Sequence, residues 1–148
     1  MTTTASTNKK PVLLRCGACG SMNRVDLTRA ADGPRCAKCA APLSLGSPHS
    51  VTDADFQRII EGSSVPVLVD FYADWCGPCK AMAPALAAFA AASVGRTLVL
   101  KLDTDANPAT ASRFGIRSIP TLISFQDGKE WRRHVGGANR AMLDGLVT

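Results

Sequence analysis

The sequence predicts an α/β fold, a central mixed sheet flanked by helices, preceded by a small module organised around a metal. Three observations carry this expectation. Apolar strand-like runs alternate with helical segments through residues 50–148 and finish in a hairpin. A Cys-x-x-Cys pair, Cys76/Cys79, stands at a strand-to-helix junction within that alternation. Two further Cys-x-x-Cys pairs, Cys16/Cys19 and Cys36/Cys39, lie upstream with sixteen residues between them.

The chain divides into a mobile tail over 1–11, a first module over 12–45, a linker over 46–49 and a second module over 50–148. In the first module, two Cys-x-x-Cys knuckles at this separation have the spacing of a four-cysteine zinc site. Zinc takes four thiolates tetrahedrally, and a two-residue gap lets each pair turn around the ion. Gly17, Gly20, Ala37 and Ala40 leave room for backbone N–H groups to approach the sulfurs. Asp32-Gly33-Pro34 turns the chain back toward the second knuckle. So short a module buries little apolar surface, and metal binding would supply its folding energy; the clustered thiolates, which oxidants can attack, leave the zinc site either structural or redox-sensitive. The competing reading, two redox or disulfide pairs, is disfavoured by a cytosolic setting. Gly46 and Pro48 mark the linker, and His49 falls outside the ligand set as an ordinary exposed residue.

In the second module, Thr52 or Asp53 caps a helix running to about Glu61, with Phe56, Ile59 and Ile60 on its apolar side. Gly62-Ser63-Ser64 ends it. Val65 to Tyr72 reads as a strand buried on both faces, and Ala81 to Ala92 as a helix with a proline kink at Pro84. A strand over Thr97–Asp103, a short helix from about Asn107 to Phe114 closed by Gly115, and two strands flanking Asp127-Gly128 follow. A final helix spans about Asn139 to Val147.

The chemistry centres on Trp75-Cys76-Gly77-Pro78-Cys79-Lys80. Cys76 falls where a helix begins, beside unpaired N–H groups and the positive end of the helix dipole, which favour a thiolate. Pro78 suits a first helical turn, and Cys79, one turn further in, faces inward. Asp70 is out of place in a buried strand, where a carboxylate requires a partner or a raised pKa. Lys101 occupies the matching position in Val99-Leu100-Lys101-Leu102-Asp103, so an Asp70–Lys101 pair is expected beneath the cysteines, with Asp70 taking the proton of Cys79. Trp75 and Ile119 make an apolar rim suited to an extended peptide, and Pro120 precedes a strand in a turn compatible with either isomer.

The net charge of +5 is confined to the first 48 residues, which hold seven Lys/Arg against two Asp; the remainder has ten of each sign. These 48 residues contain no Phe, Tyr or Trp, so base stacking is unavailable and a nucleic-acid partner is not expected. Residues 1–11 contain no apolar run of the secretory kind, and no run reaches the ~18 residues of a membrane span. A cytoplasmic monomer is the expectation. A Gly-x-Gly-x-x-Gly after a strand is absent, so no bound nicotinamide or flavin is expected.

Four stretches resemble the thioredoxin family: Val67 to Lys80, Lys101-Leu102-Asp103, Gly115 to Thr121, and Val135-Gly136-Gly137. With the upstream four-cysteine module, the chain resembles the zinc-containing bacterial thioredoxin 2 type. The resemblance implies a thioredoxin fold with a zinc-ribbon-like module, and protein-disulfide reduction with Cys76 as nucleophile and Cys79 as resolving thiol. It implies that Asp70 and Lys101 form the buried pair, that Pro120 is cis, and that Trp75, Gly77, Pro78, Ile119, Pro120 and Gly136 bind the substrate chain. It implies one Zn²⁺ on Cys16, Cys19, Cys36 and Cys39. The partners implied are disulfide-containing proteins and an NADPH-dependent thioredoxin reductase. Two positions depart from the family pattern: Tyr72 stands where many members have Trp, and Ser118 where many have Gly.

Overall fold

Five strands in the order β3-β5-β4-β6-β7 form the sheet that positions the cysteines: β3 (His49–Ser50), β4 (Val67–Tyr72), β5 (Leu98–Asp103), β6 (Thr121–Gln126) and β7 (Lys129–Val135). β3, β4 and β5 are parallel, whereas β6 runs antiparallel to both of its neighbours, β4 and β7, giving the mixed α/β sheet expected. The computed structural model describes residues 9–148. The expected tail lies outside the described residues up to position 8, and Pro11, placed in that tail by the sequence, is instead the first residue of β1 (Pro11–Arg15). β1 pairs antiparallel with β2 (Met22–Asp26), and a 3-10 turn over Leu27–Asp32 follows.

Strand periodicity sorts the sheet's side chains onto two faces. Val67, Val69 and Phe71 of β4 face α1 (Phe56–Glu61), and Leu98, Leu100 and Leu102 of β5 join them. Phe56, Phe71, Phe114 and Phe125 meet there with centroids 5.3–6.5 Å apart, several of them edge to face. On the opposite face, Leu68, Val99 and Leu122 pack against Met82, Leu86 and Phe89 of α2 (Gly77–Ala92) and Leu143 and Leu146 of α4 (Arg140–Leu146). Asp70 and Tyr72 alternate with Phe71 and therefore share the α2 face with Leu68. α3 (Pro108–Arg113) leads into Phe114, and Gly115 closes it at φ +64°.

The first module shares its core with the second. Val12, Leu14 and Leu43 lie in the same buried cluster as Phe56, Ile59 and Phe125. The Ser64 N–H donates to the Pro11 carbonyl at 2.9 Å, and Arg15 pairs with Asp55 at 3.5 Å. Close approach of β1 to the end of α1 depends on Gly62: a Cβ there would lie 2.6 Å from Leu13 Cδ1 and 2.9 Å from its Cγ. Gly62→Ala is therefore expected to lower stability by about 1–3 kcal/mol through overpacking. A urea unfolding curve reads it as a lower midpoint at unchanged slope.

Several local expectations require correction. The helix expected to start at Thr52 or Asp53 begins at Phe56. Asp53 does not cap it; its carboxylate accepts the Thr110 and Ala109 N–H groups at 2.8 and 3.2 Å and so caps α3 across the fold. The helix after the cysteines starts at Gly77, not Ala81, and Pro84 lies inside it. The linker runs into β3, whose first residue is His49 and which adds to the sheet edge beside Leu100 and Lys101. His49 is consequently half-buried, with Nε2 enclosed and without a hydrogen-bond partner. Burial lowers its pKa, partly countered by a hydrogen bond to the Ser44 backbone. The Asp127-Gly128 turn forms as expected, with φ +55° and +77°, the positive pair a tight hairpin requires.

Candidate active site and metal centre

β4 ends at Tyr72, and four residues later Cys76 forms the N-cap of α2 in extended conformation (φ −82°, ψ 111°). Its Sγ accepts the N–H of Cys79 at 3.1 Å, one of the amides that a helix N-terminus leaves unpaired. Cys76 and Cys79 are joined as a disulfide with a Cα–Cα separation of 5.3 Å. The Ile119–Pro120 bond is cis, and the Ile119 carbonyl oxygen lies 3.7 Å from Cys76 Sγ. The Gly136 N–H donates to the Pro120 carbonyl at 2.8 Å, with Gly136 at φ +103°. β7 thus delivers Gly136 to the same edge of the site as Pro120. Trp75, Gly77 and Pro78 are exposed around the sulfurs, Trp75 at 70%. The indole is held by Asp105, whose carboxylate accepts from Nε1 at 2.8 Å. Asp105 was missed in the sequence because it sits 30 residues away with no local signal.

Asp70 and Lys101 are directly opposite in the parallel β4–β5 register. They line one pocket of about 310 Å³ with Cys79, Tyr72, Asp74 and Lys80. The two groups do not form a direct ion pair. Asp70 Oδ1 is buried without a hydrogen-bond partner, and the Lys101 ammonium sits over the Tyr72 ring, 4.6 Å from its centroid. Burial raises the Asp70 pKa to about 7, with the Lys101 charge only partly opposing it.

At the other end of the shared core, the Sγ atoms of Cys16, Cys19, Cys36 and Cys39 all lie within 4.8 Å of one another. Cys16 and Cys39 approach to 3.6 Å, and Cys19 and Cys36 to 3.5 Å. Tetrahedral zinc with Zn–S of ~2.3 Å requires sulfur separations of about 3.8 Å, so the four residues fit the ion. Each knuckle is shaped by backbone bonds: Ala18 N–H to Cys16 Sγ at 3.3 Å, and Lys38 N–H to Cys36 Sγ at 3.4 Å. Gly20 and Ala40 take positive φ and donate to the Cys16 and Cys36 carbonyls. Asn23, buried in β2, accepts the Ala37 N–H at 2.9 Å and ties the second knuckle to the sheet. Without a cation the thiols compete. The Cys39 and Asn23 hydrogen bonds lower Cys36 to about 6. The Ala41 N–H favours the Cys39 thiolate, but burial and the three neighbouring thiols together push Cys39 up to about 12.

Residues 47–148, more than half of the chain, match the family described as Thioredoxin. The chain belongs to the thioredoxin family. Residues 15–41 match a second family, described as Thioredoxin 2, N-terminal, a zinc ribbon. The chain is 37% identical to Thioredoxin C-3 of Corynebacterium nephridii over 131 residues, covering 88% of this chain and 89% of that protein. It is 50% identical to a thioredoxin of Alicyclobacillus acidocaldarius over 95 residues, covering 64% and 90%. A solved structure of a mutant thioredoxin from Halobacterium salinarum is 34% identical, with a TM-score of 0.63 and coverage of 71% and 91%. This thioredoxin is accordingly a protein-disulfide reductase that exchanges its Cys76–Cys79 dithiol with substrate disulfides, and its four-cysteine zinc ribbon is a metal-binding site. Among the described residues no helix is long and apolar enough to cross a membrane.

Proposed function

We propose that Cys76 is the attacking thiolate, Cys79 the resolving thiol and Asp70 the proton acceptor of the exchange reaction. The observation that carries this reading is the asymmetry of the two sulfurs. Cys76 caps α2 and takes a helix N-terminal amide, whereas Cys79 shares a pocket with the unpartnered Asp70 carboxyl. The Cys76 thiolate attacks one substrate sulfur, forming a mixed disulfide and expelling the other as a thiolate. Cys79 passes its proton to Asp70, directly or through water in the pocket, and attacks Cys76 Sγ. The second substrate thiolate leaves, two electrons have moved to the substrate, and the Cys76–Cys79 disulfide remains.

An extended substrate segment would lie across Trp75, Gly77, Pro78, Ile119, Pro120 and Gly136, where backbone groups and an apolar rim surround the sulfurs. The recycling partner is an NADPH-dependent thioredoxin reductase. The ion is zinc, held by Cys16, Cys19, Cys36 and Cys39 as a structural brace, since thiolate ligands in this geometry suit it. The protein acts as a monomer in a reducing cytoplasm, where four thiols stay available to a metal.

Asp70→Asn tests the proton role. The rate of substrate disulfide reduction should fall by roughly ten- to a hundredfold, and its dependence on pH near neutrality should flatten. An unaltered rate and profile would remove Asp70 from the mechanism. Stability should move the opposite way. The unfolded carboxyl releases its proton near 3.8 and the folded one near 7. Between these values the unfolded chain holds fewer protons, so stability falls as pH rises through the window. The Asn variant should therefore be more stable by on the order of a few kcal/mol above neutrality, and unchanged in acid below about pH 4.

A further inference from the structure

We propose that Tyr72 is a positioning residue for the exchange reaction: its ring face holds the Lys101 ammonium off the Asp70 carboxyl, so that Asp70 stays unpaired beside Cys79. This rests on the proton role proposed above for Asp70.

Three observations combine. Asp70 and Lys101 are register partners on adjacent parallel strands, which places their side chains next to each other within a lysine's reach. The ion pairs among the described residues are Arg15–Asp55, Arg29–Asp32 and Arg133–Glu130, and Asp70–Lys101 is absent from them. The ammonium lies instead 4.6 Å from the Tyr72 ring centroid, within the range of a cation–π contact. Tyr72 is two residues beyond Asp70 on the same face of β4, so the ring is the one competitor for Lys101 that the strand itself supplies.

The other charged or titratable groups lining the pocket are Asp74 on the loop after β4, and Cys79 and Lys80 on α2; Asp103 of β5 lies beyond, opposite Tyr72. Neither carboxylate can take the place of Lys101 in neutralising Asp70, since both carry the same sign. With Lys101 drawn to the ring, the carboxyl keeps an affinity for protons that a direct ion pair would remove. A proton acceptor paired tightly to an ammonium would be ionised but too weak a base for a thiol proton. The ring thus decides how basic Asp70 is without touching the sulfurs.

The test follows the Asp70 side-chain carboxyl carbon by NMR against pH, in the oxidised protein, where Cys79 has no proton to exchange. Tyr72→Leu removes the ring and frees Lys101, so the Asp70 midpoint should fall by roughly half a pH unit or more. Tyr72→Phe keeps the ring face and should leave the midpoint in place. In a Lys101→Met background, Tyr72→Leu should move nothing, because no ammonium remains to be redirected. A midpoint unmoved by Tyr72→Leu, or moved equally with Lys101 absent, would overturn the proposal. Tyr72 is only half-buried; should Leu at this position not fold, the ring-free strand former in Tyr72→Val carries the same comparison. The reduction rate of Asp70→Asn reads the proton role separately. If that rate proves normal, the catalytic reading fails while the titration still decides where Lys101 sits.

Discussion

Cys76→Ser is expected to reduce protein disulfides at no more than the uncatalysed background, a loss of at least roughly a thousandfold. A serine hydroxyl at an α-helix N-terminus remains protonated at neutral pH, so the group that the N-terminal amides would stabilise is missing. Cys79→Ser should behave differently. The Cys76 thiolate survives at the N-cap, and the first exchange proceeds, but the mixed disulfide has no neighbouring thiol to resolve it. One equivalent of substrate per chain should accumulate as a covalent adduct, seen by intact mass and released by an added dithiol. If Cys79→Ser fell to the background while Cys76→Ser trapped the adduct, the two roles would be reversed. The geometry opposes that outcome, since Cys76 takes the free amide and Cys79 lies against the Asp70 pocket.

How much of this was legible in the chain depends on how local each cause is. Cys76 could be placed because three local signals agree: an apolar strand before it, Pro78 in the first turn and an alanine-rich helix after it. Asp70 stood out as a charge in a run of buried residues, and Lys101 as its match in the next strand. The α/β alternation and the Asp127-Gly128 hairpin were equally plain. What could not be read depends on contacts made far along the chain. β3 is two residues long and exists because β5 offers it an edge, which turns His49 from a linker residue into a half-buried one. Asp53 carries the chemistry of an N-cap, but the helix it caps begins 55 residues later. Nor does any local pattern show that Lys101 would choose the Tyr72 ring over the carboxyl opposite it; only the three-dimensional competition decides that.

The relation between the two modules follows from the same distinction and leads to the second large expected effect. The cysteine spacing suggests a metal-held unit too small to fold without its ion, and a unit of that kind could hang as an independent bead. Instead, Val12 and Leu14 of β1 pack into one cluster with Phe56 and Ile59, Arg15 reaches Asp55, and Gly62 is kept bare for Leu13. Removing the metal with a chelator should therefore do more than unfold residues 12–45. The four thiols cannot all ionise together without a cation, and the knuckles that aim β1 and β2 would open. Side chains such as Val12 and Leu14 each contribute about 1.5–3 kcal/mol when fully buried, so losing β1 costs the thioredoxin sheet several of these. The melting temperature of the whole protein should drop by about 10 °C or more, still as one transition. Below that midpoint, disulfide reduction should persist, because Cys76, Cys79, Asp70 and Pro120 all belong to β4, α2 and the turn before β6. Calorimetry with and without chelator, read beside reduction rates at low temperature, separates the cases. An unmoved main transition with loss of the β1–β2 signals alone would show a tethered bead. Loss of reduction at temperatures where the sheet is intact would show that the metal acts on the thiols, not merely on the fold.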